Sequence, residues 1–171
     1  MGARLLPRNL PELFSYSLVL EREAAKRFSE LERFLRARGA RRLAEEFEKL
    51  AREEREQYEL IAAGTPGGDL PQLAGWELGW YFGDAVKKPK SPRTPGDALA
   101  IALAFERSAQ LFYDDVATNA RADAVRAFAA EMSSDEQRHI SRLEELMARE
   151  QALAEPESDD PDKTGDGLSF P

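Results

Sequence analysis

Asp135-Glu136-Gln137-Arg138-His139 carries the one histidine of the chain. Glu136 and His139 stand three residues apart, so on a helix they project from one face. Val125, Ala129, Met132, Leu143 and Leu146 fall on that same face at alternating steps of four and three, the pattern of a buried helical seam. A carboxylate and an imidazole therefore interrupt an apolar stripe. A carboxylate buried without a partner costs several kcal/mol, roughly, so its partners must come from elsewhere in the chain.

Outward from this stretch, the sequence predicts four helices. Asn9 and Pro11 are start signals for the first. Leu18, Glu21, Ala25, Phe28, Leu31 and Leu35 make its inner face, and Gly39 stops it. The second helix follows almost at once, with Leu43, Phe47, Leu50, Glu54, Gln57 and Ile61 inward and Gly64 at its end. So short a connection makes these two helices antiparallel neighbours. Thr94-Pro95-Gly96-Asp97 opens the third, whose inner face is Leu99, Leu103, Glu106, Ala109, Tyr113 and Val116. Asn119 to Asp123 is a turn, with Asp123 as the expected cap of a fourth helix running to about Ala154.

Between residues 64 and 95 the helical pattern breaks into Gly, Pro and the basic run Lys87-Lys88-Pro89-Lys90. The centre of this connection, Trp76-Glu77-Leu78-Gly79-Trp80-Tyr81-Phe82, is too aromatic for a free loop, and a crossover packed along the bundle is expected. The fold class predicted is all-α, a ferritin-like four-helix bundle of two antiparallel pairs joined by a long crossover. Residues 1–154 form the bundle, and residues 155–171 form an acidic tail without periodicity, expected to be disordered. The last eight residues, Thr164 to Pro171, are either a frayed terminus or a docking peptide on a spacer.

The two halves repeat. Glu21-Arg22-Glu23-Ala24 matches Glu106-Arg107-Ser108-Ala109, each with an aromatic, Phe28 or Tyr113, seven residues after the glutamate. Glu54-x-x-Gln57 matches Glu136-x-x-His139. Residues 21 and 54 are equidistant from a point just before Gly39, and residues 106 and 136 from Arg121. Residues equidistant from a hairpin turn lie level on antiparallel helices, so all four glutamates meet at one height inside the bundle. Four carboxylates in a low-dielectric interior repel one another, and two divalent cations would balance them. Oxygen and imidazole donors without thiolate suit iron, with manganese or zinc as alternatives. Di-metal carboxylate bundles use this donor pattern: a Glu from each of two helices and Glu-x-x-His from each of the other two. Glu53 and Glu56 flank the seam and are the next ligands if the second helix is turned from the assumed register.

Composition narrows the function. A net charge of -8 disfavours nucleic acid and anionic membrane surfaces. The chain has no cysteine, which excludes disulfides, thiolate iron–sulfur or rubredoxin-type centres and cysteine nucleophiles, and fits a reducing cytosol. No apolar run approaches the length of a membrane span.

The sequence resembles the rubrerythrin branch of the ferritin-like superfamily across about residues 10–150. The resemblance is carried by Glu21 with Phe28, Phe47-x-x-Leu50-Ala51-x-x-Glu54, Glu106 with Tyr113, and Glu136-x-x-His139. It implies a di-iron site and an oxidoreductase acting on peroxide, oxygen or ferrous iron, in the setting of oxidative stress. Glu54 and Glu136 would bridge or share the metals, with Glu21 and Glu106 terminal. The chain departs from the family at Gln57, where the family has histidine, and at Ala109, where it has a further carboxylate. Without a rubredoxin domain, a peroxidase needs an external electron donor. A homodimer or larger homo-oligomer is expected. Two other functions stay open: an iron-handling ferroxidase delivered to a shell, and a redox-inactive metal-binding scaffold. Tyr113 is either a core aromatic with a satisfied hydroxyl or a catalytic group beside the metals. Trp76 and Trp80 either pack the crossover or shield the site. The basic run from Lys87 to Arg93 is either a solvated loop or a docking patch for an acidic redox partner.

Overall fold

The computed structural model describes residues 6–65 and 90–154. The expected crossover core from Trp76 to Phe82, the start of the basic run from Lys87 to Pro89 and the tail from residue 155 lie outside the described residues. Four helices follow one another: α1 (Leu10–Ala37), α2 (Arg41–Gly64), α3 (Pro95–Asn119) and α4 (Asp123–Ala154). No strand occurs among the described residues, and none of the helices is long and apolar enough to cross a membrane. The fold is the all-α ferritin-like four-helix bundle.

Local chemistry sets the helix ends. The Asn9 side chain accepts from the Glu12 backbone N–H at 2.9 Å, with Pro11 in the first turn of α1. At the other end Gly39 takes a φ of 76°. The Ala40 N–H reaches the Leu35 carbonyl at 3.0 Å and the Gly39 N–H reaches Arg36 at 3.1 Å. This paired closure satisfies two of the last helical carbonyls and reverses the chain within three residues. Thr94 and Asp97 form a reciprocal capping box at the start of α3, with proline in its first turn. The start of α4 differs from expectation. Asp123 lies inside the first turn, the Ala122 carbonyl accepts from the Arg126 N–H, and the Asp123 carboxylate pairs with the Arg126 guanidinium. Arg126 also donates to the Ala120 and Arg121 carbonyls. The arginine thus ties the turn together, which explains why no cap on Asp123 is needed.

Helix α1 packs along α2 and α3 along α4, and α1 touches both helices of the second pair. The expected inner faces of α2 and α3 are buried throughout, apart from half-buried Gln57. On α1 the stripe runs through Leu13, Ser17 and Leu20, with Leu18 only half-buried. A buried serine leaves no trace in a hydropathy pattern, so the pattern points to Leu18 instead of Ser17. Phe28 and Phe47 meet edge to face at 5.9 Å between α1 and α2, and Tyr16 lies 5.5 Å from Phe112 between α1 and α3. These contacts fix the pairs on either side of a layer in which each helix contributes one buried glutamate.

Two substitutions separate packing from backbone geometry. Phe47 is fully buried, so Phe47→Ala should cost about 3–5 kcal/mol. A β-carbon on Gly39 would meet nothing within 4 Å, so Gly39→Ala should cost only the left-handed backbone penalty, roughly 1–2 kcal/mol. Urea unfolding checks both: the midpoint should fall in that order with an unchanged slope.

Candidate metal centre

Glu21, Glu54, Glu106 and Glu136 are each at most 4% exposed, one on each helix. Glu54, Glu106, Glu136 and His139 each offer one donor atom, and these four atoms all lie within 4.8 Å of one another. Ligands about 2.0–2.2 Å from a shared ion sit up to about 4.4 Å apart, so a contraction of a few tenths of an ångström would close this group around a cation.

The hydrogen bonding of the group tests that fit. His139 Nδ1 lies 2.7 Å from Glu54 Oε1 and 3.4 Å from Glu106 Oε2. Neither contact is aligned as a hydrogen bond: Glu54 Oε1, both Glu106 oxygens and His139 Nδ1 are buried without a hydrogen-bond partner among the described residues. Buried polar atoms are almost always paired, and an uncompensated buried charge is far more costly than a neutral one. Two carboxylates and an imidazole that converge on Glu136 with these atoms unpaired fit a cation better than they fit each other.

Glu21 adjoins this group but is not among its four converging donors. Its Oε1 accepts from the Tyr113 hydroxyl at 3.2 Å in the buried interior. Gln57 stands at the edge, where its side-chain nitrogen contacts the Met132 sulfur at 3.3 Å. The bundle interior opens to solvent through a cleft of about 200 Å³, with Glu21, Glu136 and His139 among its walls and Glu53, Glu56 and Asp135 nearer the surface.

Electrostatics follow from burial and crowding. Burial raises the Glu21 pKa well above the ordinary carboxylate range, and the neighbouring charges of Glu54 and Glu106 add to it against the Tyr113 hydrogen bond. Glu136 is raised well above its ordinary value by burial and then by Glu106. Glu106 is raised by burial and Glu54, with His139 and Glu136 opposing. Burial alone would lower the imidazole of His139, but Glu106 and Glu54 outweigh it and raise its pKa from 6.5 to about 10. Tyr113 is raised well above 10.0 by burial and by the charges of Glu21 and Glu136, so it remains a phenol. Without a cation, protons are the only charge that can hold this cluster together.

Sequence spacing placed all of these residues on inward faces but did not find what holds the outer edge of the imidazole. Glu53 Oε2 lies 3.2 Å from His139 Nε2. Arg142 donates to Glu53 at 3.0 Å and to Glu46 at 2.7 and 3.1 Å. Glu53, the substitute ligand expected if the second helix were turned, instead contacts the far side of the ring from the converging donors. The available signal was a pair of spacings: Glu46 and Glu53 two turns apart on α2, and Arg142 one turn after His139 on α4.

The rubrerythrin family model matches residues 97–164, the stretch that holds Glu106, Tyr113, Glu136 and His139. Among solved structures, the chain is similar to an uncharacterized conserved protein from Magnetospirillum magnetotacticum MS-1. The two are 26% identical, with a TM-score of 0.73 over 82% of this chain and 95% of that one. No curated protein matches the chain.

The metal-free protein should have a characteristic pH dependence. Raised folded pKa values at Glu21, Glu106 and Glu136 contribute stability that is complete below the unfolded value near 4.5 and lost as pH rises through the folded values. The raised His139 value acts in the same direction, complete below 6.5 and lost toward about 10. Surface pairs such as Arg8–Glu12 and Arg142–Glu46 oppose this only in acid, where their lowered carboxylates protonate. Calorimetry of chelator-treated protein should therefore show Tm falling by at least about 3 °C from pH 5 to pH 8. A flat or rising Tm over that window would contradict the assignment.

Proposed function

We propose that this chain, a rubrerythrin-like protein of the ferritin-like fold, holds two divalent metal ions within its four helices and acts as a di-iron oxidoreductase on peroxide, oxygen or ferrous iron. The observation that carries the proposal is the convergence of Glu54, Glu106, Glu136 and His139 within 4.8 Å, with four of their donor atoms left without hydrogen bonds among the described residues. Glu21 and Glu54 would complete the second position, with Gln57 at its edge. Oxygen and nitrogen donors without sulfur thiolate favour iron or manganese. Bound iron supplies the redox change that no side chain of this cluster can supply.

The residues of the chain have separate parts in this reading. The carboxylates balance the cations. Tyr113 donates to Glu21 and fixes where that carboxylate points. The cleft of about 200 Å³ is below the usual range of about 300–1,000 Å³ for sites of drug-sized ligands, which suits peroxide, dioxygen or a single ion. Its acidic walls favour the passage of cations, and this supports the second reading, a ferroxidase that takes in ferrous iron. The 171 residues hold no cysteine, so they offer no thiolate iron–sulfur centre of their own, and peroxide reduction would draw its electrons from an external donor. Metal analysis of protein purified without chelators, followed by its optical spectrum after ferrous iron and air, tests the proposal. Steady-state consumption of peroxide with a reductant supports the oxidoreductase. Rapid oxidation of ferrous iron without peroxide turnover supports the ferroxidase. Bound metal without either leaves a metal-binding scaffold, and no metal at all overturns the proposal.

The two positions should not be equal. One has the imidazole of His139, and the other has only the amide of Gln57 at its edge. A titration should find one tight and one weak site. His139→Ala should lower affinity at the tight site more than about a hundredfold, and Gln57→Ala should change binding less than about tenfold. Gln57→His should tighten the weak site. Two equivalent sites, or equal losses from the two alanine variants, would contradict this.

Tyr113→Phe separates the two roles left open for that residue. It removes the donor to Glu21 while keeping the packed ring, so metal stoichiometry should be retained. Turnover should fall roughly tenfold, the worth of a hydrogen bond to a charged group. Unchanged turnover would make Tyr113 a core aromatic and no more.

A further inference from the structure

We propose that Glu53, clamped by Arg142, is a positioning residue that sets which ring nitrogen of His139 faces the buried carboxylates; this rests on the metal-centre reading above. An imidazole has two distinct nitrogens, and the hydrogen bond at one decides what the other can do. Here Nδ1 points into the cluster, 2.7 Å from Glu54. Nε2 points outward, 3.2 Å from Glu53 Oε2. A carboxylate has lone pairs and no proton to give. The Nε2–H therefore donates to Glu53, so when a cation takes the place of the Nδ1 proton the lone pair it meets is the one on Nδ1, facing the buried carboxylates.

Glu53 by itself would be a poor device. Its side chain is 44% exposed, and a solvated glutamate samples many rotamers. Arg142 removes that freedom. One arm of its guanidinium donates to Glu53 Oε1 at 3.0 Å. The rest grips Glu46 Oε2 at 2.7 and 3.1 Å. Glu46 and Glu53 lie on one face of α2, and His139 and Arg142 on the facing side of α4. The planar fork of an arginine suits such a two-carboxylate clamp better than a lysine would. The network therefore transmits the spacing of α2 and α4 to the orientation of the ring.

The single histidine makes the test direct. With nitrogen-15 histidine as the label, the chain has one ring spin system, so no assignment is needed. Zinc alone serves as a diamagnetic probe. In the zinc-loaded protein Nδ1 should be metal-bound and Nε2 protonated, with slow exchange of its hydrogen. Glu53→Gln keeps an acceptor and should keep this ring state, with zinc affinity within about fivefold of the parent. Glu53→Ala should lower affinity by about ten- to a hundredfold and speed exchange at Nε2. Arg142→Gln should act in the same direction and less strongly. Alanine suits an exposed helical position, so Glu53→Ala should fold, and its Tm without metal checks that it does.

The proposal is overturned if Glu53→Ala keeps both the ring state and the affinity. It is also overturned if Glu53→Gln loses as much as Glu53→Ala, because Glu53 then acts as a ligand or a bare charge. Failure of the parent reading looks different. If His139→Ala binds zinc as tightly as the unaltered chain, the metal centre is misassigned. The contact can still be read without metal: exchange at Nε2 should be slower in the unaltered protein than in Glu53→Ala, and equal rates overturn the proposal.

Discussion

Four carboxylates buried in one layer of a helical bundle are the constraint on which the rest of the structure depends. Each is at most 4% exposed, and each lies on a different helix. Neutral packing would favour leucine at such positions, because ionised carboxylates lose hydration and repel at short range. The cluster is tolerable only with added positive charge. Burial and mutual repulsion raise the pKa values of Glu21, Glu106 and Glu136, and the carboxylates raise that of His139 against its burial, so without metal the cluster holds protons more readily, and cations would supply the charge more fully. Stability and cation binding are then two sides of one equilibrium.

The rest of the bundle serves to bring those four positions to one height. The tight closure at Gly39 places Glu21 and Glu54 at equal distances from the first turn. The Arg126-bound turn at Ala120 to Ala122 does the same for Glu106 and Glu136. Phe28 against Phe47 then locks the first pair in register. A slip of one residue in either pair would rotate a glutamate out of the layer by about 100°. The turns therefore contribute to the site although none of their atoms approaches it.

This dependence on periodicity explains what the sequence could show. Glu54 and Glu136 were visible because they interrupt long apolar stripes, and Glu21 and Glu106 because they recur in matched halves. The capping box at Thr94 and the left-handed turn at Gly39 were also plain from residue type. Ser17 was not, since a buried serine looks like a surface residue. The Glu46–Arg142–Glu53 clamp was hidden for a different reason: half-exposed charges at helical spacing resemble any solvated face, and only the distance between α2 and α4 makes them partners. The nearness of Gln57 to Met132 likewise follows from packing between helices and has no signature in either helix alone.

The central claim, that a cation holds the buried carboxylates together, is tested most directly by anomalous diffraction. Crystals of protein purified without chelators and exposed to ferrous iron would be measured on either side of the iron edge. The account predicts an anomalous peak within bonding distance of Glu54, Glu106, Glu136 and the Nδ1 of His139, with a second, weaker peak toward Glu21 and Gln57. A map without a peak among these side chains, with the carboxylates instead hydrogen-bonded to one another or to water, would contradict it.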